Sequence, residues 1–219
     1  MEGAEREPDK ARAVNVEGTE RAASAAANVG ARLIVMSTDY VFDGKKGAPY
    51  VETDQPHPLN TYARTKLEGE QRALALCPKA LVVRTAWLYG LHGKNFVNTI
   101  LRVAREKPEL RVVADQRGSP THAGDLAEAL ARIVHTDLSG IVHAVGEGDC
   151  TWYEFACAIV SLAGLSTPVL PITTAEANLQ APRPPSTVLA NHRLAQRGIV
   201  LPQWRDSLTS FIKQVEAKA

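Results

Sequence analysis

Leu33-Ile34-Val35-Met36-Ser37-Thr38-Asp39-Tyr40-Val41-Phe42 is an apolar run that ends in two hydroxyls and an acid. Its first part, Arg32 to Ser37, has the length and composition of a buried strand. Beyond a loop bracketed by Pro56 and Pro58 comes Leu59-Asn60-Thr61-Tyr62-Ala63-Arg64-Thr65-Lys66, which opens a predicted helix running to about Leu76. A buried strand followed by a helix is the unit of an α/β fold. The rest of the chain repeats it.

Working outward, Glu7 to Asn28 is rich in alanine and closes at Gly30, the pattern of a helix with a glycine stop. Ala80 to Leu88, Leu110 to Ala114, Gly140 to Val145 and Thr167 to Ile172 read as strands. Phe96–Glu106, His122–His135, Thr151–Ala163, Leu189–Gly198 and Arg205–Ala217 read as helices, and Thr151 with Glu154 has capping-box spacing. Pro182-Arg183-Pro184-Pro185 predicts a stiff extended segment. The alternation predicts an α/β protein with a mostly parallel sheet, buried on both faces.

A spacing of four puts Tyr62 and Lys66 on one helix face. An ammonium beside a phenol draws the phenol's pKa down from its usual value, so the pair can exchange a proton with a carbonyl oxygen. The bare spacing also describes a surface tyrosine beside a solvated lysine. The hydroxyls of Ser37 and Thr38 favour the catalytic reading, because a parallel sheet binds its ligands at the carboxyl ends of its strands.

The formal charge of +1 is spread evenly over 219 residues, so no basic stripe suggests nucleic acid. No apolar run reaches the ~20 residues of a membrane span. The first residues, Met1 to Pro8, carry no apolar core of a secretory signal. Cys77, Cys150 and Cys157 form no ligand-like cluster, and each reads as a small buried apolar residue. These features lead to the expectation of a cytoplasmic protein with no assigned metal site.

Several segments, in order along the chain, resemble the extended short-chain dehydrogenase/reductases, and within them the branch that reduces dTDP-linked 4-dehydro sugars. They are Asn15–Thr19, Ser37–Phe42, Pro58–Glu70, Arg84–Gly90, Asn95–Val97, Asp115–Thr121 and Arg183-Pro184. The resemblance implies a Rossmann-like nucleotide-binding part over residues 1–94 and a smaller C-terminal α/β substrate domain over 95–219, interleaved with it. It implies hydride transfer from NADPH or NADH to C4 of dTDP-4-dehydro-L-rhamnose. Thr38, Tyr62 and Lys66 then match catalytic positions, with Met36, Tyr62 and Lys66 at the cofactor. Thr38, Asp39, Tyr40, Trp87, Asn95, Gln116 and Arg183 match substrate contacts. Trp87 also reads as a core tryptophan, Arg183 as a solvated loop residue and Asn15 as a plain helix residue. Some relatives dimerise with a bound Mg²⁺, but nothing in the sequence identifies its ligands.

The related 4,6-dehydratases carry Thr-Asp-Glu where this chain has Thr38-Asp39-Tyr40. Without that glutamate, elimination lacks a base, and reduction is favoured. A non-catalytic subunit, resembling the regulatory β subunit of methionine adenosyltransferase, and an inert fragment are the competing expectations. The counterpart of Trp87 is missing from that regulatory subunit.

Members of the family begin with a strand, a glycine-rich turn and a helix that hold the cofactor pyrophosphate. Gly44-Lys45-Lys46-Gly47 follows the wrong strand to serve this way. The expectation is a partial Rossmann-like sheet, its first strands and glycine motif absent, with weakened cofactor binding. The strand at Arg32–Met36 is then an edge, open to pairing with another chain or in a homodimer.

Overall fold

The computed structural model describes residues 1–217. Two short helices, α1 (Glu2–Arg6) and α2 (Pro8–Arg12), lead through a single π turn, Ala13–Glu17, into α3 (Gly18–Asn28). The single helix expected from Glu7 to Asn28 is thus three pieces. Pro8 starts one of them, and the π turn interrupts the ladder before Gly18. Gly30, at φ +66°, ends the run, in the left-handed conformation that glycine adopts without strain.

Strand β1 (Ile34–Thr38) ends in a 3₁₀ turn, Asp39–Val41, and a long loop leads to α4 (Thr61–Leu76). Next come β2 (Leu81–Thr85), the short β3 (Leu88–Tyr89), α5 (Phe96–Glu106) and β4 (Leu110–Val113). The run expected as one strand from Ala80 to Leu88 breaks at Trp87, whose φ is +45°. The pieces β5 (Arg117–Gly118) and β6 (Thr121–His122) precede α6 (Ala123–Ile133) and β7 (Gly140–His143). The chain closes with β8 (Cys150–Thr151), α7 (Trp152–Leu162), β9 (Val169–Ile172), α8 (His192–Ala195) and α9 (Trp204–Glu216).

The helix expected over Leu189–Gly198 shrinks to α8. Its first residues pair instead with Tyr50, whose N–H reaches the Val188 carbonyl at 2.8 Å and whose carbonyl accepts from Ala190. Gly198, at φ +68°, turns the chain after α8. The capping box of α7 is complete: Thr151 accepts from the Glu154 amide, and Glu154 accepts from the Thr151 amide.

Strands β1, β2 and β7 form a parallel sheet in that order, with Ser37 beside Arg84 and Thr38 beside Thr85. Helix α4 covers one face, where Ala73 and Cys77 meet Ala23 of α3, Ala80 and Val35. Leu126, Ala129 and Ile133 of α6, with Leu194 of α8, cover the other against Leu81, Val83 and Val142. Among the described residues β1 pairs only with β2, so it is the edge strand anticipated from the sequence. A second core joins α5, α7 and α9 around Phe155, Leu208 and Phe211, beside the parallel pair β4–β9.

Candidate active site

Helix α4 is fixed before it presents any chemistry. Asn60 caps it, its side-chain oxygen accepting from the Ala63 N–H at 2.8 Å. The Glu5 carboxylate accepts from the Thr61 N–H at 2.6 Å and from the Thr61 hydroxyl at 2.8 Å, satisfying a further free donor of the first turn. One turn on, Asn15 donates to the Thr65 hydroxyl at 2.9 Å. One turn further, a Cβ on Gly69 would lie 2.2 Å from the Asn15 carbonyl oxygen, so only glycine permits this helix crossing. The Asn15 segment is therefore a seat for α4 rather than a plain stretch of helix.

This seating turns Tyr62 and Lys66 into a cleft of about 690 Å³ at the carboxyl ends of β1 and β2. Met36, Ser37, Thr38, Asp39 and Tyr40 line it from the first strand, and Thr85, Ala86, Trp87 and Leu88 from the second, with Met1 and Lys94 at its margin. The volume is that of an ordinary small-molecule site.

Asp39 lies at the floor, fully buried. It accepts from the Thr38 hydroxyl at 3.0 Å and from the hydroxyl of Thr187. Burial pushes its carboxyl up to about 6 against those bonds. Burial raises the Tyr62 phenol above its usual value, and the Asp39 charge adds to this, while a bond with Thr38 opposes it. Tyr40 is raised for the same two reasons, with Arg183 beside it acting the other way. Lys66 donates to the Met36 carbonyl at 2.7 Å, and burial lowers its pKa, with Glu70 one turn on opposing that. The expectation that Lys66 draws Tyr62 down is corrected: the ammonium is directed to the strand backbone, and burial and Asp39 govern the phenol.

Beneath the cleft lies an ion pair absent from the sequence reading. Glu70 accepts from the Ser37 hydroxyl and, at 2.6 Å, from Arg84, with both charged side chains 2 % exposed. One Arg84 nitrogen, Nη1, has no partner among the described residues, and the guanidinium lies over the Phe42 ring at 5.2 Å. The sequence signal for it is that Glu70 and Arg84 both fall inside resembling segments, Pro58–Glu70 and Arg84–Gly90. Thr187 and Trp152, which also support the cleft, lie too far along the chain for spacing to reveal them.

The expected substrate contacts divide. Thr38, Asp39, Tyr40 and Trp87 line the cleft, as does Met36. Asn95 and Gln116 do not. Asn95 caps α5, accepting from Asn98 and donating to the Gly90 carbonyl at 2.7 Å. Gln116 is buried and donates to Thr174 at 2.8 Å. Arg183 lies near Tyr40 and pairs with Glu2 at 2.9 Å.

A nicotinamide ring and its ribose fit the cleft. Tyr62, Lys66 and the Met36 carbonyl offer donors and acceptors in one corner, and the buried Thr85 hydroxyl has no partner among the described residues. Gly44 is no phosphate cradle, because its open side is filled by Pro184, Pro185 and Ser186, which a Cβ would meet at 2.8–2.9 Å. Among the described residues no three His, Cys, Asp or Glu side chains gather as a metal site, and no helix is long and apolar enough to cross a membrane.

Comparisons with known proteins agree with this architecture. The family model described as the RmlD substrate binding domain matches residues 1–217. The spore coat polysaccharide biosynthesis protein SpsK of Bacillus subtilis is 40% identical over 210 residues, covering 96% of this chain and 74% of its own length. The dTDP-4-dehydrorhamnose reductase of Sinorhizobium fredii is 41% identical over 97% of this chain and 76% of its own. A crystal structure of dTDP-4-dehydrorhamnose reductase from Bacillus anthracis in complex with NADP superimposes with a TM-score of 0.94 at 40% identity, over 96% of this chain and 75% of that one. The chain thus spans about three quarters of the length of these relatives. On this match of sequence and fold together, the chain belongs to the RmlD family, that of the dTDP-4-dehydrorhamnose reductases.

Proposed function

We propose that this chain carries the proton-transfer site for NAD(P)H-dependent reduction of dTDP-4-dehydro-L-rhamnose to dTDP-L-rhamnose. The observation that carries the reading is the convergence of Thr38, Tyr62 and Lys66 on one cleft at the carboxyl edge of the parallel sheet. The named relatives support the substrate.

A bound nicotinamide cofactor supplies the hydride. Tyr62 donates its proton to the C4 oxygen as the carbonyl becomes an alcohol. Burial keeps the phenol protonated but makes it a weaker acid, so its proton leaves only as the C4 alkoxide, a stronger base than a phenolate, develops. Thr38 orients the same oxygen through its hydroxyl, itself held by Asp39 and the Tyr40 amide. Lys66, anchored on Met36, is placed to hold ribose hydroxyls. Trp87 forms the wall on the β2 side. Arg183, once free of Glu2, is the candidate for the substrate diphosphate, by charge-assisted bonds.

The test is oxidation of NADPH by the purified chain with dTDP-4-dehydro-L-rhamnose, followed by absorbance. Turnover that Tyr62→Phe reduces about 10²- to 10⁴-fold, with dTDP binding kept, is the expected result. Equal rates for the two proteins would remove Tyr62 from the chemistry.

A further inference from the structure

Trp87 and Trp152 lie face to face, their ring centroids 3.4 Å apart and their planes 7° from parallel. Trp87 lines the cleft. Trp152, 65 residues later at the start of α7, does not. Trp87 sits at φ +45°, a strained conformation for a bulky residue that persists only where its surroundings hold it. The surroundings do so from two sides. Trp152 covers one ring face. The Gly118 backbone comes so close that a Cβ there would lie 2.5–2.8 Å from the Trp87 atoms Cε2, Nε1 and Cζ2.

Trp152 is itself tightly held. It is the first residue of α7, behind the Thr151–Glu154 capping box, and its amide reaches the Gln116 carbonyl at 3.4 Å. Phe96 packs on its other side, with centroids 4.5 Å apart. Gly118 is tied to the same region by its antiparallel pairing with Cys150.

We infer that Trp152 is a positioning residue for the sugar end of the cleft: by stacking on Trp87 it holds that indole at the angle that receives the hexose ring of the nucleotide sugar. The nucleotide end does not depend on it. This deepens the function proposed above and rests on it.

Circular dichroism and calorimetry test the inference separately. Two indoles this close give an exciton couplet. The wild type and a Trp204→Phe control should show it, and Trp152→Phe and Trp152→Ala should not. Trp152→Ala should bind dTDP-L-rhamnose about three- to tenfold more weakly, the worth of one aromatic stacking contact. Its binding of dTDP should be unchanged. Trp152→Phe, which keeps an aromatic face, should recover most of the sugar-nucleotide affinity.

A wild type without the couplet overturns the stack. Equal loss for dTDP and dTDP-L-rhamnose in Trp152→Ala, or no loss for either, overturns the positioning role. A wild type that shows the couplet and binds neither ligand fails instead at the function on which the inference rests, and takes the inference with it.

Discussion

The Lys66 ammonium is bonded to the Met36 carbonyl at 2.7 Å, although Tyr62 stands one turn before it on the same helix. The lysine therefore ties α4 to the end of β1. Tyr62 answers to its burial and to Asp39 instead. Removing the Asp39 charge should bring the phenol down, so Asp39→Asn is expected to lower the Tyr62 pKa in a titration that follows phenolate absorbance. Lys66→Met should move it much less. The reverse order would restore the lysine as the controlling charge.

The pH dependence of stability follows from Asp39 as well. Its folded pKa, about 6, lies above the ordinary value of 3.8. The protonated form is the one that fits the fold, so its contribution is fully present below about pH 4 and is lost as pH rises through 6. Asp39→Asn should thus be more stable than the wild type at neutral pH, by up to about 3 kcal/mol, and the difference should vanish in acid. Denaturant melts at a series of pH values check this. A difference independent of pH would count against it.

His143 works in the opposite sense. Burial first, and then the nearby Arg84 charge, push it down to about 3. Its neutral form fits the fold, so its contribution is present above the unfolded value near 6.5 and fades as pH falls toward 3. A His143→Gln variant should lose stability less steeply than the wild type between about pH 6 and pH 4. An identical slope in denaturant melts would remove His143 from the acid response.

The Glu70–Arg84 pair offers a further test. Removing one partner leaves a buried charge alone. Arg84→Met should cost about 3–5 kcal/mol of unfolding free energy. The double change Glu70→Gln with Arg84→Met should recover part of that loss, because no charge is then stranded. A double variant as unstable as the sum of the single changes would show that the two side chains act independently.

Asn95 separates a structural role from a substrate role. As the cap of α5 it should cost about 1 kcal/mol of stability when changed to alanine. Asn95→Asp, which keeps the capping oxygen, should restore stability, and neither change should alter the affinity for dTDP-L-rhamnose. A selective loss of that affinity would return Asn95 to the substrate site.

Much of this was legible in local pattern. The helices at Phe96, Ala123, Trp152 and Trp204 follow from helical spacing of apolar residues and from cap chemistry, both of which act within one or two turns. The strand end at Ser37–Asp39 and the Tyr62–Lys66 face were equally local. What spacing could not show was where side chains go once distant elements meet. Asn95 and Gln116 carry polar groups that suit a ligand, yet each is used by a neighbouring backbone or hydroxyl. Thr187 reaches Asp39 across 148 positions of sequence. The π turn at Ala13–Glu17 carries Asn15, whose contact with Thr65 of α4 lies 50 positions along the chain, beyond the reach of local spacing.

That contact has a mechanical meaning. A rod is located in space only when it is held at more than one point along its length. Helix α4 is held at Thr61 by Glu5, at Thr65 by Asn15 and at Gly69 by the Asn15 backbone, at successive turns. Tyr62 and Lys66 lie between these supports, so their aim is set by residues that never touch the cleft. A methyl group at position 69 would act like a shim under one end of the rod, tilting the proton donor while leaving every cleft residue unchanged.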